Sequence, residues 1–288
     1  PVVESTGTGG GFKLFCAGVG PAHPDLSNAS RRIKKSEVEQ CAANGVNEIT
    51  ELKIGFDGIV LASSKEAKHM DLTRAQIWKA LAKEVPVNGK MVANPYKKWS
   101  DVDPSLPNKE IEVLGPPPTS GTRDAFNELA MEHGCSEVKE VAQIITDKKA
   151  LGQACMAIRE DGAYVEAGEN DNLIVQKLVA NPDAFGIFGY SFLDQNKDKL
   201  QAAQINGVAP TYEKISSGDY PVSRSLYVYI KNAHVGVIPG IREFVAEYTA
   251  ERAMGEDGYL ADKGLIALPK AERDAVRTSA VNLTPLKL

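Results

Sequence analysis

An α/β architecture with a largely parallel sheet is the fold class this chain predicts, and three observations carry it. Short β-rich runs alternate along the chain with helices that bear their own start and stop signals. The 288 residues are 43% hydrophobic and 25% charged, enough apolar material for one large domain or two of ordinary size. No apolar run approaches the roughly 18 residues that a membrane span requires. Lys and Arg number 33 against 38 Asp and Glu, and a net charge of −5 argues against a nucleic-acid binder with its basic face.

Taken in order, Val2-Val3 reads as the end of a strand. The glycine-rich segment 5–13 follows as a loop, and Phe12, Phe15, Cys16 and Val19 then lie at helical spacing. Ser36-Glu37-Val38-Glu39 is a capping box and Asn44-Gly45 a stop, so a short helix spans 36–44. Ile54–Ala62 is strand-sized. Thr73-Arg74-Ala75-Gln76 is a second box, opening a helix through Ile77, Ala80 and Leu81. The stretch Val85–Pro118, rich in Pro, Asn and Lys, reads mainly as loops, with Ile111–Leu114 a short β-rich run. Thr119 or Ser120 caps a helix carrying Phe126, Leu129 and Ala130, stopped at Gly134. Ala184–Tyr190 and Leu226–Ile230 are further strands. Ile241–Ala253 is a helix with Ile241, Phe244, Val245 and Tyr248 on one face.

Most catalytic signatures are missing. There is no GxSxG elbow, no HExxH, no GxxxxGK followed by Ser or Thr, and no true GxGxxG. His23, His69, His133 and His234 are scattered, and the bland reading of each is a surface or satisfied core histidine. The four cysteines, Cys16, Cys41, Cys135 and Cys155, form no CxxC and no zinc-like spacing. Two disulfides in an oxidising compartment and four buried thiols fit the count equally.

Two helix starts stand out instead. Ser5-Thr6-Gly7-Thr8-Gly9-Gly10-Gly11-Phe12-Lys13 offers bare backbone N–H groups, the positive end of a helix and the hydroxyls of Ser5, Thr6 and Thr8. Pro118-Thr119-Ser120-Gly121-Thr122-Arg123 repeats that design and adds an arginine as a forked partner for an oxyanion. Each alone is equally an ordinary glycine turn or capped helix; together they suggest one oxyanion gripped from two sides. Between them, Asn28-Ala29-Ser30-Arg31-Arg32-Ile33 brings two arginines that reach an anion or simply form a solvated turn. Asp57, inside the apolar run Ile54–Ala62, is costly to bury unless it accepts a proton or pairs, Arg31 and Arg32 being the expected partners.

The order of these pieces resembles the periplasmic phosphate-binding protein of a bacterial phosphate-specific ABC transporter. GTGGGFK, NASRRIKKSE, IGFDGIVLA, LTRAQIWKA, SGTRDAF, FGIFGYSFL and SLYVYIKN carry the resemblance across essentially the whole chain. It implies the type II periplasmic-binding fold: a two-lobed clamshell, each lobe a mostly parallel sheet flanked by helices. Lobe 1 would comprise 1–64 and 225–288, lobe 2 residues 65–224. Carried over, phosphate would be held by Thr8, Gly9, Ser30, Arg31, Asp57, Ser120, Gly121, Thr122 and Arg123. Ser30 and Arg31 fall where another branch of the family has an Asp that accepts the phosphate proton, which leaves Asp57 as the nearest candidate for that role.

Within those lobes we expect disulfides Cys16–Cys41 and Cys135–Cys155, each tying a helix to a neighbouring element. The resemblance further implies no cofactor, no metal, no catalysis, a monomer in the periplasm, and an ABC permease of the inner membrane as partner. A phosphatase or phosphotransferase using the same cradle would need a nucleophile with a positioned base or a metal cluster; a surface phosphate scavenger would need only the fold. Family members begin with a further strand and a hydroxyl-bearing turn, so we expect such a segment before Pro1 and poor folding of the 288 residues without it.

Overall fold

The strand expected over Ile54–Ala62 is longer in the structure, running sixteen residues from Ile49 to Ser64 with none of them exposed. The structure, a computed structural model, describes residues 2–4, 6–167 and 171–287. It divides into two units, residues 1–57 with 224–288 and residues 58–223. The chain therefore leaves the first unit within this strand, after Asp57, and re-enters it at Arg224.

In the first unit the strand Ser223–Lys231 lies between Leu26–Ala29, its antiparallel partner, and Ile49–Ser64. Its side chains alternate between two cores. Tyr229 packs with Phe12, Phe15, Ile33 and Val46; Val228 and Ile230 pack with Leu52, Ile54, Ile241 and Val245. Such a strand must be covered on both faces. Helix Gly7–Phe15 covers one, and helices Ile241–Tyr248 and Lys270–Asn282 cover the other.

Several expectations need correction here. The glycine-rich segment is not a loop: helix Gly7–Phe15 begins within it. Glycine costs a helix interior roughly 1 kcal/mol, yet a Cβ on Gly10 would lie 2.9 Å from Thr6 Cβ and one on Gly11 3.0 Å from Ser27 Oγ, so close packing needs both bare. Val2 and Val3 form no strand and are 92% and 86% exposed; two β-branched residues set a preference, but a strand needs a partner to pair with. Helix Lys35–Ala43 starts before Ser36, because Glu37 rather than Glu39 closes its box, accepting the Lys34 backbone N–H at 2.8 Å. The helix expected over Ile241–Ala253 breaks into Ile241–Tyr248 and Glu251–Met254.

The second unit is α/β with mixed strand directions. Val113–Gly115 is parallel to both Tyr164–Glu166 and Phe185–Gly189, while Ile49–Ser64 pairs antiparallel with Phe185–Gly189 and Leu200–Ala202. The sheet is thus less uniformly parallel than expected, since a long strand serving two units fixes its direction for both. Thr73 caps helix Arg74–Leu81 as expected, its side chain accepting from Gln76 N–H. The stretch 85–118 holds more structure than loops: a hairpin, Glu84–Val87 with Lys90–Ala93, turning at Asn88 and Gly89 with φ of 50° and 75°. Asn-Gly is the strongest short hairpin signal, and it was there to read. Trp99 is buried edge-on to Phe185, ring centroids 5.5 Å apart.

Gly134 stops no helix. Helix Gly121–Phe126 continues through a π-turn, Asn127–Glu132, into His133–Glu137. A Cβ on Gly134 would fall 2.2 Å from the Arg74 carbonyl oxygen, so this glycine lets two helices touch backbone to backbone. Both expected disulfides are present, Cys16–Cys41 and Cys135–Cys155, closing separations of 25 and 20 residues. Each such loop stabilises by about 3 kcal/mol through the unfolded state.

Lys231 is fully buried, its Nζ donating to the Gly18 carbonyl at 2.6 Å and lying 5.1 Å from the Phe15 ring centroid. Asp25 lies within Coulombic reach, but it is bonded to His234 Nδ1, whose Nε2 accepts the Gly20 N–H. Burial pulls the lysine from 10.5 down to about 8.

Two outcomes follow. Gly134→Ala should destabilise the chain by roughly 1–3 kcal/mol in urea unfolding, because helix backbones must part; an unchanged midpoint would refute the close approach. Between about pH 8 and 10.5 the unfolded chain keeps the Lys231 proton that the folded chain has released, so stability from this group rises with pH across that window. Lys231→Met should abolish that rise. The check is the wild-type minus variant difference in unfolding free energy, which should grow from the lower pH to the higher.

Candidate functional site

The first unit places Thr8 and Ser30 in contact, although 22 residues separate them. The Thr8 hydroxyl accepts the Ser30 backbone N–H at 3.1 Å and shares a hydrogen bond with Ser30 Oγ at 3.0 Å. The reason is local: Thr8 and Gly9 lie in the first turn of helix Gly7–Phe15, and Ser30 follows the strand Leu26–Ala29 that packs beside it. A Cβ at Gly9 would meet nothing within 4 Å, so what this glycine supplies is uncovered backbone N–H. Ser5 lies outside the described residues. Thr6 precedes the helix with no side-chain cap, its hydroxyl donating weakly to Gly7 O at 3.4 Å.

The arginines and acids nearby are paired with one another. Arg31 grips Glu37 with both terminal nitrogens, at 2.9 and 2.8 Å, and lies 5.5 Å from the Phe12 ring centroid. That fork, with the Lys34 N–H, holds the Glu37 carboxyl below its ordinary range. Arg32 is forked onto Glu51, which also accepts the Tyr229 hydroxyl at 2.7 Å. Asp57 does not pair with Arg31 or Arg32, as the sequence suggested; it meets Arg224 at 3.4 Å. The pairing is topological: Asp57 and Arg224 are the residues at which the chain leaves and re-enters the first unit.

In the second unit Ser120, rather than Thr119, caps helix Gly121–Phe126, its Oγ accepting from Thr122 N–H at 3.2 Å. Gly121 is exposed and Thr122 half-buried in the first turn. Arg123 is no surface residue: it is 8% exposed. Its Nη1 donates to the Pro116 carbonyl at 3.1 Å, and its guanidinium lies 4.7 Å from the centroid of the Tyr164 ring. Its Nε is buried and has no hydrogen-bond partner among the described residues. A buried cation with an unanswered donor is a cost the fold carries unless an acceptor arrives.

Tyr164 and Pro116 are what sequence reasoning missed. The Tyr164 hydroxyl donates to the same Pro116 carbonyl at 2.7 Å, and burial raises its pKa. The only local hint is Pro116-Pro117-Pro118, a stiff lead into the cap. Tyr164 arrives from a parallel strand, opposite Val113, and no motif announces it.

Chemically, both sites offer N–H groups and hydroxyls, and the second adds a positive charge. That is equipment for holding an oxyanion. Among the described residues no group of three or more His, Cys, Asp or Glu is placed to hold a metal. His234, committed to Asp25 and the Gly20 N–H, is not poised as a base.

Against known proteins, residues 1–252 match the model of the PBP superfamily domain. Phosphate-binding protein PstS of Staphylococcus saprophyticus is 32% identical over 274 residues, 93% of this chain and 71% of that protein. Protein SphX of Synechococcus elongatus is 32% identical over 85% of this chain and 64% of its own length. Among solved structures, a possible phosphate binding protein from Planctomyces limnophilus superposes with a TM-score of 0.72 at 27% identity, covering 96% of this chain and 86% of that one. A phosphate transport receptor from Vibrio cholerae, 18% identical with a TM-score of 0.55, shares the fold, covering 91% of this chain and 86% of its own.

Thr8→Val should destabilise the first unit by about 1 kcal/mol, because the Ser30 N–H loses its acceptor, while Thr8→Ser should cost little. Urea unfolding of the two variants checks this, and equal midpoints would show that the contact contributes nothing.

Proposed function

We propose that this chain, which belongs to the PBP superfamily and within it to the family of phosphate-binding protein PstS, captures inorganic phosphate and delivers it to a membrane transporter. The observation that supports this best is Arg123: a buried guanidinium at a Ser120-capped helix start, its Nε unanswered among the described residues. We take Thr8, Gly9 and Ser30 of the first unit, and Ser120, Gly121, Thr122 and Arg123 of the second, as phosphate-contacting residues, each set read within its own unit. Arg31 and Asp57 we assign a lesser part, because Glu37 and Arg224 take up their charged groups.

The mechanism is exchange of hydration for fixed donors. Phosphate gives up water only where N–H and O–H groups already point at its oxygens, and a buried arginine supplies the charge. No bond is made or broken, so the chain releases what it binds; ABC permease components are the recipients we infer. Two disulfides suit an oxidising compartment outside the cytoplasm, the periplasm or its equivalent.

Calorimetric titration with inorganic phosphate should give saturable binding. Arg123→Met, which keeps the buried volume, should weaken it by roughly 2–4 kcal/mol, since a desolvated anion loses its charged partner. Equal affinity in the variant would remove Arg123 from the phosphate-contacting residues. Steady release of product from a phosphoester in the same preparation would instead favour the phosphatase reading.

A further inference from the structure

Arg123 is useful to an anion only if its fork is held in one orientation, and the described contacts show what holds it. Two donors, Arg123 Nη1 and the Tyr164 hydroxyl, converge on one acceptor, the Pro116 carbonyl, at 3.1 and 2.7 Å. The Tyr164 ring lies against the guanidinium, 4.7 Å from centroid to central carbon. The ring cannot easily drift. Tyr164 is buried, paired through its strand with Val113, and its hydroxyl sits where a Cβ on Gly115 would be 2.2 Å away. Gly115 thus makes the slot for the hydroxyl, and the carbonyl of the next residue, Pro116, fixes it.

We propose that Tyr164 is a positioning residue for Arg123, its ring face fixing the guanidinium so that the unpartnered Nε side is presented to phosphate. This rests on the phosphate reading above. The ring also favours the charged fork in a site with little water, where the attraction between a cation and an aromatic face is strongest. Lost order in this side chain would be paid at binding, so the effect should appear in affinity more than in fold stability.

The test is a double-mutant cycle read by phosphate titration. Tyr164→Phe keeps the ring and should stay within about threefold of wild type, whereas Tyr164→Leu should weaken binding about tenfold or more. In an Arg123→Met background, Tyr164→Leu should produce no further loss. Equal losses in both backgrounds, or undiminished binding by Tyr164→Leu, would overturn the proposal while leaving phosphate binding intact. A wild-type chain that does not bind phosphate would overturn the functional reading and this proposal with it. Where the Leu variant fails to fold, Phe and a ring-fluorinated phenylalanine at position 164, alike in shape, carry the same test. Affinity should fall as fluorine drains the ring face, and unchanged affinity would overturn the proposal.

Discussion

The lack of any exposed residue along one long strand constrains much of what surrounds it. Ile49–Ser64 has no exposed residue, yet it carries two carboxylates, Glu51 and Asp57. Both are half-buried, and a carboxylate that loses much of its water is costly unless it is paired or protonated. Arg32 and the Tyr229 hydroxyl answer Glu51, and Arg224 answers Asp57. Tyr229 in turn accepts the Ile33 backbone N–H at 2.8 Å, which fixes the chain just after Ser30 and Arg31. The polar demands of a structural strand therefore decide which arginines near Ser30 are already committed.

That chain of dependence explains what was legible in the sequence. Features set by neighbours along the chain could be read: the Thr73 box, a helix cap at Thr119 or Ser120, and the β-rich run Leu226–Ile230, which lies within the strand Ser223–Lys231. The two cysteine pairs could be placed once the lobes were known, because each lies within one unit. Features set by distant neighbours could not. Gly134 looks like a helix stop until the Arg74 carbonyl is seen beneath it, and the glycine run looks like a loop until Thr6 and Ser27 crowd it. Asp57 was assigned the arginines nearest in sequence, whereas its partner enters from the far end of the chain. Of the site, the two helix starts were visible, but Tyr164, brought in by strand pairing, was not.

The two helix starts differ in kind, and the difference follows from the same pairing rules. In the first unit Glu37, Glu51 and Asp57 are each bound to an arginine, so charge there is largely cancelled locally. What Thr8, Gly9 and Ser30 add is neutral: hydroxyls and helix-start N–H groups, directional but without net charge. The second unit holds its cation against a carbonyl and an aromatic face rather than a carboxylate. An arginine paired with a carboxylate would bring an anion little net attraction, because the pair is already neutral. One kept on a carbonyl and a ring retains its full charge, and the low dielectric around it strengthens that charge toward an incoming anion. Neutral donors read geometry and a preserved charge provides attraction, and reversible capture of an anion draws on both without fixing it covalently.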